Sequence, residues 1–364
     1  MRVTIFISAL SGGGAERVVC NLANFLSKKG ISIEILTMGE AVPAETLEKG
    51  IKEVSLLRDI EKSFPAFDFF KRILRLRNYI KKEKVDAYIV FLPRLTMLMS
   101  FFSGLTMAPI IMTERADPNV YSEKVKKALK KACKKVDGAV FQTVDAKEWY
   151  EPHLKGVQHK VIPNAINPAF IRPAYSGERE KVIVGAGRLA EQKNFPLLIK
   201  AFARISEKFP EHKLVIYGKG GLLDSLKSLA GELGVGDRVE FPGYVDNMPE
   251  TLEKADMFVL SSDYEGMPNA LMEAMAVGVP SVSTDCGGGG ARFLIQNGEN
   301  GLLVPQKDEE KMAEAMEKIL SDKAFAEKIS ENGRKLQETL APEKIYGEWE
   351  KFILKVAGKN NETI

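Results

Sequence analysis

The chain is poor in the residues from which metal sites and disulfides are built. Its 364 residues include only three cysteines and three histidines. Cys20, Cys133 and Cys286 are scattered at a spacing that fits neither a zinc site nor a disulfide framework, which indicates a reducing cytoplasm. No two aspartates form a D-x-D pair of the kind that carries Mg2+ or Mn2+. We therefore predict that neither a metal nor a cofactor is required.

Long hydrophobic runs are also missing. The uncharged run Leu95–Met112, at eighteen residues, is near the lower limit for a membrane span. Polar residues, a glycine and a proline divide it, however, into a predicted helix and a following strand, Pro109–Thr113. At the start of the sequence, eight apolar-leaning residues follow Met1-Arg2 and precede three glycines, which favours a buried strand over a signal peptide.

Charge is balanced overall but unequal between the halves. The composition, 45% hydrophobic and 28% charged, is typical of a soluble globular protein, and the length suits two domains. Residues 1–167 hold 27 Lys and Arg against 18 Asp and Glu, a net charge of +9, while the remainder carries −6. A basic half indicates an acidic partner, phosphorylated or membrane-bound. Nucleic acid is disfavoured because aromatics are not interleaved with the basic runs.

Two basic segments account for much of this excess. Phe67–Lys82 alternates apolar and basic residues as an amphipathic helix does, and Lys124–Lys135 places seven lysines in twelve residues. Each segment fits a packed helix with a solvated face, and each also fits a helix that rests on a membrane surface. Both interpretations remain open from the sequence.

The N-terminal segment has the layout of a nucleotide-binding unit. A predicted strand, Val3–Leu10, is followed by Gly12–Gly14 and a predicted helix, Ala15–Lys29. The dinucleotide fingerprint G-x-G-x-x-G would need a third glycine where Arg17 stands, which disfavours a nicotinamide-dependent oxidoreductase. A close-packed turn without a ligand is the remaining alternative to a phosphate-binding loop.

The sharpest functional signal lies between residues 257 and 284. Met257–Leu260 has the length and composition of a buried strand, and Pro268 stands where a helix begins. Gly278 marks the end of that helix. The helix N-terminus therefore opens at the carboxyl end of a strand, which is a natural site for phosphate.

Two carboxylates, Glu265 and Glu273, flank this predicted phosphate site. A carboxylate beside a phosphate would be repelled, so we expect the pair to reach hydroxyl groups on either side of it. A diphosphate with a sugar at one end and a ribose at the other is the ligand that fits. The intervening Gly266-Met267-Pro268-Asn269 makes the signal far more specific than either glutamate alone.

This E-x7-E pattern, within the context S-x-x-E-G-x-P, resembles the retaining glycosyltransferases of family 4, also described as glycosyl transferases group 1. The resemblance implies the α/β GT-B fold, with two Rossmann-like domains facing across a cleft. It places an acceptor-binding domain at residues 1–166 and a donor-binding domain at residues 167–342. A C-terminal helix, residues 343–357, is expected to cross back to the first domain.

The resemblance also implies the roles of individual residues. Glu265 meets hydroxyls of the donor sugar and Glu273 holds the nucleotide ribose. Arg188 and Lys193, in the pattern G-R-x4-K, bring fixed cations to the leaving diphosphate in place of a metal. Glu265, Arg188 and Lys193 are thus the predicted catalytic set. The other predicted donor contacts are Gly13, Gly14, Gly187, Gly218, Tyr244, Val245, Gly266, Met267, Pro268, Asn269, Ala270 and Leu271.

The sequence departs from the family in two places. Many relatives carry a histidine that touches the donor sugar, and here Glu114 or Arg115 is the candidate for that sugar or acceptor contact. Where the family usually shows G-G-P-x-E, the proline is replaced by Ala291 and the glutamate by Phe293.

We therefore predict a retaining, metal-independent hexosyltransferase. It moves a sugar from a nucleotide-diphosphate sugar, expected to be a UDP-sugar, to a hydroxyl of a glycan on a polyprenyl diphosphate. Such a reaction belongs to surface polysaccharide or glycoconjugate synthesis, on the cytoplasmic face of the cell membrane with peripheral binding to anionic lipid. The alternative is a catalytically silent protein of the same fold that binds nucleotide sugars.

Overall fold

The chain forms two compact units. The computed structural model describes residues 1–10, 14–39, 47–57 and 65–359, with the backbone alone for residues 65–67. The first unit comprises Met1–Ala165 together with Glu343–Ile364, and the second comprises Ile166–Pro342. Each unit is built around one parallel β-sheet with helices on its faces. The assignment of the acceptor to the first unit and of the donor to the second stays a prediction.

The first unit has a seven-stranded parallel sheet of order β3-β2-β1-β4-β5-β6-β7. Its strands are β1 (Arg2–Ile7), β2 (Ser32–Thr37), β3 (Lys52–Ser55), β4 (Ala87–Phe91), β5 (Ile110–Glu114), β6 (Gly138–Phe141) and β7 (Gln158–Val161). Its first five helices are α1 (Gly14–Lys28), α2 (Pro65–Lys82), α3 (Pro93–Phe101), α4 (Glu123–Ala132) and α5 (Val144–Tyr150).

The central strands of this sheet are buried on both faces. Every residue of β4 and β5 is buried, as expected of parallel strands covered by helices on either side. Helix α1 buries one face through residues at helical spacing, and the chain turns after it at Gly30, whose φ is 81°. The predicted strand and helix at the start of the sequence are both confirmed.

The uncharged run Leu95–Met112 is divided as predicted. Helix α3 ends at Phe101, a 3-10 turn covers Ser103–Leu105, and β5 begins at Ile110. Among the residues that the structure describes, no helix combines the length and the apolarity that a membrane crossing requires.

The second unit has a six-stranded parallel sheet of order β10-β9-β8-β11-β12-β13. Its strands are β8 (Glu180–Ala186), β9 (Lys213–Tyr217), β10 (Val239–Gly243), β11 (Ala255–Leu260), β12 (Ser281–Thr284) and β13 (Leu302–Val304). Its helices are α6 (Phe195–Ile205), α7 (Leu223–Glu232), α8 (Met248–Lys254), α9 (Asn269–Val277), α10 (Gly290–Leu294), α11 (Glu309–Ser321), α12 (Lys323–Arg334) and α13 (Leu336–Thr339).

The last helix, α14 (Pro342–Val356), belongs to the first unit. Its Trp349 is fully buried and stacks on Phe91 of β4, with ring centroids 6.1 Å apart. Beyond the helix, the Lys359 ammonium pairs with Asp86 at 2.6 Å. The predicted return of the C-terminal helix to the first domain is therefore confirmed.

Candidate active site

The strand order of the second sheet reverses between two neighbouring strands, β8 and β11. From β8 the chain builds outward through β9 and β10, and it then returns to add β11, β12 and β13 on the other side. The loops after the two central strands leave in opposite directions and open a crevice at the carboxyl edge, where doubly wound sheets bind ligands. Residues 187–194 follow β8, and residues 261–268 follow β11.

Hydrogen bonds fasten these two loops to one another. The Ser261 hydroxyl donates to the Lys193 carbonyl oxygen at 2.8 Å, and the Asp263 N–H donates to the Gln192 carbonyl oxygen at 2.9 Å. The Gln192 amide donates in turn to the Tyr264 carbonyl oxygen at 2.8 Å. Because the loops are bonded at several points along their length, the crevice between them is preformed rather than assembled around a ligand.

Lys193, Glu265 and Ser262 meet in this crevice. Lys193 Nζ lies 2.5 Å from Glu265 Oε1, and the Ser262 hydroxyl donates to the same oxygen at 2.8 Å. Ser262 is itself fully buried, and its carbonyl oxygen accepts from the Thr284 hydroxyl at 2.5 Å. Within the described ranges no hydrogen bond reaches the other carboxylate oxygen, Oε2. Oε2 is therefore the acceptor that this cluster leaves for a ligand hydroxyl.

Helix α9 presents its N-terminal end to the same crevice. The first hydrogen bond of its ladder runs from the Met272 N–H to the Pro268 carbonyl oxygen at 3.1 Å. The N–H groups of residues 269–271 precede that bond and form the positive end of the helix dipole. Arg188, in the loop after β8, adds an exposed guanidinium. Together these groups favour an anion such as a diphosphate.

The two glutamates of the E-x7-E pattern are both nearly buried. Glu265 is 8% exposed and Glu273, in the second turn of α9, is 7% exposed. Carboxylates are rarely buried to this extent without a defined partner. Glu265 has Lys193 and Ser262 as its partners. The assignment of Glu265 to the sugar and Glu273 to the ribose stays a prediction.

Glycines let the backbone segments around the crevice touch. A Cβ at Gly218, after β9, would lie 1.9 Å from the Gly187 carbonyl oxygen. A Cβ at Gly290 would lie 1.8 Å from the Gly266 carbonyl oxygen and 2.7 Å from Pro268. Neither position has room for a side chain. The loop after β9 therefore packs backbone to backbone on the loop after β8, and the segment after β12 packs in the same way on the loop after β11.

Two predicted donor contacts, Tyr244 and Val245, follow β10, two strands away from β8 on the same edge. The Tyr244 ring is 73% exposed, and the Lys219 ammonium lies 5.3 Å from its centroid. Val245 is half-buried. The Gly218 N–H donates to the Gly243 carbonyl oxygen at 2.8 Å, which joins this loop to the one after β9.

In the first unit, the predicted contacts that the structure describes lie at the carboxyl edge of the first sheet. Gly13 falls outside the described residues, and Gly14 is the exposed first residue of α1. Glu114 is fully buried at the end of β5, and burial raises the pKa of its carboxyl group. Arg115 follows it and stacks over the Phe91 ring, with the guanidinium carbon 5.1 Å from the centroid.

The Glu114 carboxylate is hydrogen-bonded to residues of its own unit. Its Oε1 accepts from the N–H groups of Arg115 and Ala116 and from the Tyr121 hydroxyl, and its Oε2 accepts from the Tyr150 hydroxyl. With four donors on two oxygens, this carboxylate has little capacity left for a ligand. The geometry favours Arg115 over Glu114 as the contact that stands in for the family's histidine, and that contact stays a prediction.

The second departure from the family lies on α10. Ala291, at the position of the usual proline, is fully buried, and Phe293, at the position of the usual glutamate, is 42% exposed. The neighbouring Arg292 pairs with Asp285 at 2.8 Å. An aromatic side chain thus stands where the G-G-P-x-E pattern of the resembled family has a carboxylate.

Sequence reasoning assigns no role to Ser262, Gln192 or Asp263, which the structure places in the frame of the crevice. The signal for Ser262 is present, because it stands three residues before Glu265 in the S-x-x-E context. The bonds of Gln192 and Asp263 join positions about seventy residues apart and depend on the order of the strands.

Comparison with known proteins agrees with the fold. The family model described as Glycosyltransferase Family 4 matches residues 12–170, and the model described as Glycosyl transferases group 1 matches residues 169–336. A protein from Anabaena crystallised with UDP superposes on this chain with a TM-score of 0.83 at 16% sequence identity. The superposition covers 98% of this chain and 100% of the Anabaena chain. At that identity the match establishes the fold alone.

Two enzymes of Campylobacter jejuni are similar along nearly the whole sequence. One is an α-1,4-N-acetyl-D-galactosaminyltransferase named for a glycan on PP-undecaprenol, and it is 30% identical over 98% of this chain and 99% of its own. The other is a 4-α-N-acetylgalactosaminyltransferase named for a diphospho-undecaprenol acceptor, 29% identical over 88% of this chain and 90% of its own.

The fold and the site define a glycosyltransferase of the GT-B type with two Rossmann-like units. The chain belongs to glycosyltransferase family 4, the glycosyl transferases of group 1.

Proposed function

We propose that this glycosyltransferase moves a sugar from a UDP-sugar, with retention of anomeric configuration, to a hydroxyl of a glycan on a polyprenyl diphosphate. The observation that carries the proposal is the cluster that Lys193 forms with Glu265 and Ser262 of the loop that leads to the N-terminus of α9. Arg188 is an exposed residue of the same loop as Lys193. The similar Campylobacter jejuni enzymes are named for acceptors on undecaprenyl diphosphate, and the similar Anabaena fold binds UDP.

Each part of the crevice has a task in this reaction. The N–H groups at the start of α9, with Arg188 and Lys193, stabilise the negative charge that develops on the leaving diphosphate. Glu265 Oε2 accepts from a hydroxyl of the sugar, and Glu273 accepts from the ribose. The leaving phosphate takes the proton of the acceptor hydroxyl on the same face of the sugar, so no side chain is needed as a base.

In this scheme the fixed cations Arg188 and Lys193 take the place of a metal ion. Measuring sugar transfer in the presence of EDTA tests directly whether a metal is needed. We expect wild-type transfer to be unaffected by EDTA, whereas Arg188→Ala and Lys193→Ala each lower the rate by roughly 10²–10³, as the removal of one preorganised charge does. Lys200→Ala is the matched control, since Lys200 is an exposed lysine on α6 near Glu309. Activity that EDTA abolishes and Mn2+ restores would contradict the scheme.

The donor and the stereochemistry are tested together. A binding screen of UDP-, GDP- and ADP-sugars identifies the nucleotide, and NMR of the product from the selected donor gives its anomeric configuration. Retention and preference for UDP are the expected results. Inversion would exclude the same-face reaction.

A catalytically silent nucleotide-sugar-binding protein is the second candidate. It is favoured by Phe293 in place of the family's glutamate and by the fully engaged Glu114 where relatives carry a histidine. Hydrolysis of the donor in the absence of acceptor separates the two functions. An active transferase hydrolyses the donor slowly, whereas a silent protein binds it and leaves it intact.

The surface of the first unit supports peripheral binding to the cytoplasmic face of the cell membrane as part of this proposal. Helices α2 and α4 contribute buried residues to one core cluster, so they cover the same side of the sheet. The side chains of Phe69, Phe70 and Leu74 on α2 are 55%, 57% and 43% exposed. The lysines of α4 and the turn after it, residues 124–135, add an exposed basic surface.

Apolar side chains between these two helices extend the same surface. Phe101, at the end of α3, is 78% exposed, and Met107, ahead of β5, is fully exposed. Helix α3 contacts α4, and the 3-10 turn that follows α3 contacts α2. Exposed apolar groups flanked by lysines fit a surface that inserts shallowly among anionic lipids.

A further inference from the structure

Buried polar side-chain atoms without a hydrogen-bond partner gather at one place in the first unit. Across the described part of the chain eight such atoms are found, and four of them are Thr113 Oγ1 and Arg115 Nε, Nη1 and Nη2. Native proteins leave few buried polar groups unpaired, because such a group loses its hydration without compensation. A buried guanidinium with none of its N–H groups satisfied needs an explanation.

The two side chains share one face of the sheet. Thr113 lies in β5 and Arg115 is two positions further on, so both point to the same side. Thr113 is paired in register with Phe91 of β4. The Arg115 guanidinium carbon lies 5.1 Å from the Phe91 ring centroid and 5.9 Å from that of Trp349. The aromatic rings hold the guanidinium plane in place but accept no hydrogen bonds along its edge.

The neighbouring carboxylate accepts no hydrogen bond from this guanidinium. Glu114 lies between Thr113 and Arg115 in the chain and points to the opposite face, where the Tyr121 and Tyr150 hydroxyls donate to it. Burial lowers the pKa of Arg115 to about 10, which leaves the side chain protonated at neutral pH. A charged, planar donor is therefore buried without a hydrogen-bond acceptor among the described residues.

We propose that Thr113 and Arg115 form an oxyanion site that binds a phosphate group. The guanidinium fork donates two parallel N–H bonds to a phosphate, and the threonine hydroxyl donates a third. Because all three nitrogen atoms are buried, neighbouring side chains move aside when the anion enters. The acceptor diphosphate is one source of this phosphate, and that part rests on the proposed function. Free phosphate is the other source.

The first test compares stability in the absence of an anion. Arg115→Met and Thr113→Val remove unpaired polar groups, so the thermal midpoint stays the same or rises. Thr4→Val is the matched control, because the Thr4 hydroxyl is buried in β1 and has a partner, the Tyr79 hydroxyl at 3.0 Å. The control lowers the midpoint. A fall for Arg115→Met as large as that for Thr4→Val would make Arg115 a structural cation and overturn the proposal.

The second test measures the anion itself. Inorganic pyrophosphate is titrated against Arg188→Ala, in which the donor crevice is weakened, and against the double variant Arg188→Ala with Arg115→Met. The single variant keeps an anion-dependent rise of the thermal midpoint, and the double variant binds about tenfold or more weakly. Equal shifts in the two proteins would overturn the site. This measurement needs no transfer activity, so it stands apart from the proposed function.

A third measurement identifies the source of the phosphate. Transfer is compared between a glycan on a polyprenyl diphosphate and the same glycan without phosphate. If the acceptor supplies the anion, Arg115→Met raises KM for the first acceptor far more than for the second. An equal effect on both assigns the site to free phosphate and overturns the acceptor part of the proposal.

Discussion

Lys193 and Glu265 form an ion pair in the crevice. We therefore expect different effects from substitutions of Glu265 and Glu273. Glu265→Gln frees Lys193 for the diphosphate, so affinity for the nucleoside diphosphate is retained or rises while turnover falls. Glu273→Gln weakens nucleotide binding about 5- to 150-fold, from a lost hydrogen bond worth about 1–3 kcal/mol. Titration calorimetry with the free nucleoside diphosphate measures both. The reverse pattern of affinities would exchange the two roles.

Ser262 positions the Glu265 carboxylate from within the protein. Its hydroxyl donates to Oε1, as Lys193 does, and so leaves Oε2 for the proposed bond with a sugar hydroxyl. Ser262→Ala is expected to lower kcat about 5- to 30-fold, from roughly 1–2 kcal/mol, with nucleotide affinity unchanged.

Ser281→Ala is the control for Ser262→Ala. Ser281 is equally buried, at the start of β12, and its hydroxyl donates to the Val279 carbonyl oxygen at 2.8 Å. Both variants should lose similar stability in a thermal melt. If kcat fell equally in both, Ser262 would be a structural residue only.

At the scale of elements, the first residue of α10 packs directly against the loop that leads into α9. A Cβ at Gly290 would lie 1.8 Å from the Gly266 carbonyl oxygen, so Gly290→Ala must push residues 266–268 away. We expect a loss of about 1–3 kcal/mol of stability from overpacking, together with weaker nucleotide binding, since the start of α9 shifts.

Thermal melts and nucleotide titration of Gly290→Ala and Gly221→Ala check this prediction. Gly221 has nothing within 4 Å of an added Cβ, so its variant should behave as wild type. Normal affinity in a destabilised Gly290→Ala would separate α10 from the binding site.

The elements around the crevice were predictable from sequence because each is local. The strand Met257–Leu260, the helix start after Pro268 and its end at Gly278 all follow from turn and capping chemistry, and the structure agrees. Strands β3 and β6, of four residues each, carry too short a pattern to be recognised.

What could not be predicted depends on strand order. The Lys193–Glu265 pair joins residues 72 positions apart, and nothing in a single sequence says that β8 and β11 are neighbours. The unpaired Arg115 guanidinium is likewise invisible to sequence reasoning, because only packing reveals that its neighbour Glu114 is occupied by other donors.

For the molecule as a whole, the charge and apolar surface of the first unit predict reversible membrane binding. Each lysine near an anionic surface contributes about 1 kcal/mol. Co-sedimentation with liposomes should therefore require anionic lipid and weaken with added salt. It should weaken again when Lys127, Lys130, Lys131 and Lys134 are changed to glutamate, and when Phe70 and Phe101 are changed to serine.

The matched control for membrane binding changes four exposed lysines of the second unit. These are Lys227, Lys254, Lys323 and Lys335. Their replacement by glutamate alters the total charge equally but leaves the proposed surface intact. If both quadruple variants lost binding to the same extent, net charge rather than this surface would govern the interaction. Indifference to lipid charge would favour a soluble acceptor.

The central claim is that the diphosphate of the donor lies between Arg188, Lys193 and the start of α9. Calorimetric titration of UDP, or of the diphosphate that the donor screen selects, tests it most directly. The double variant Arg188→Ala with Lys193→Ala is compared with Lys200→Ala and Arg204→Ala combined, two exposed cations of α6 that face Glu309. We predict a loss of about 100-fold or more in the first and wild-type affinity in the second. Equal affinities in the two double variants would contradict the assignment of the site.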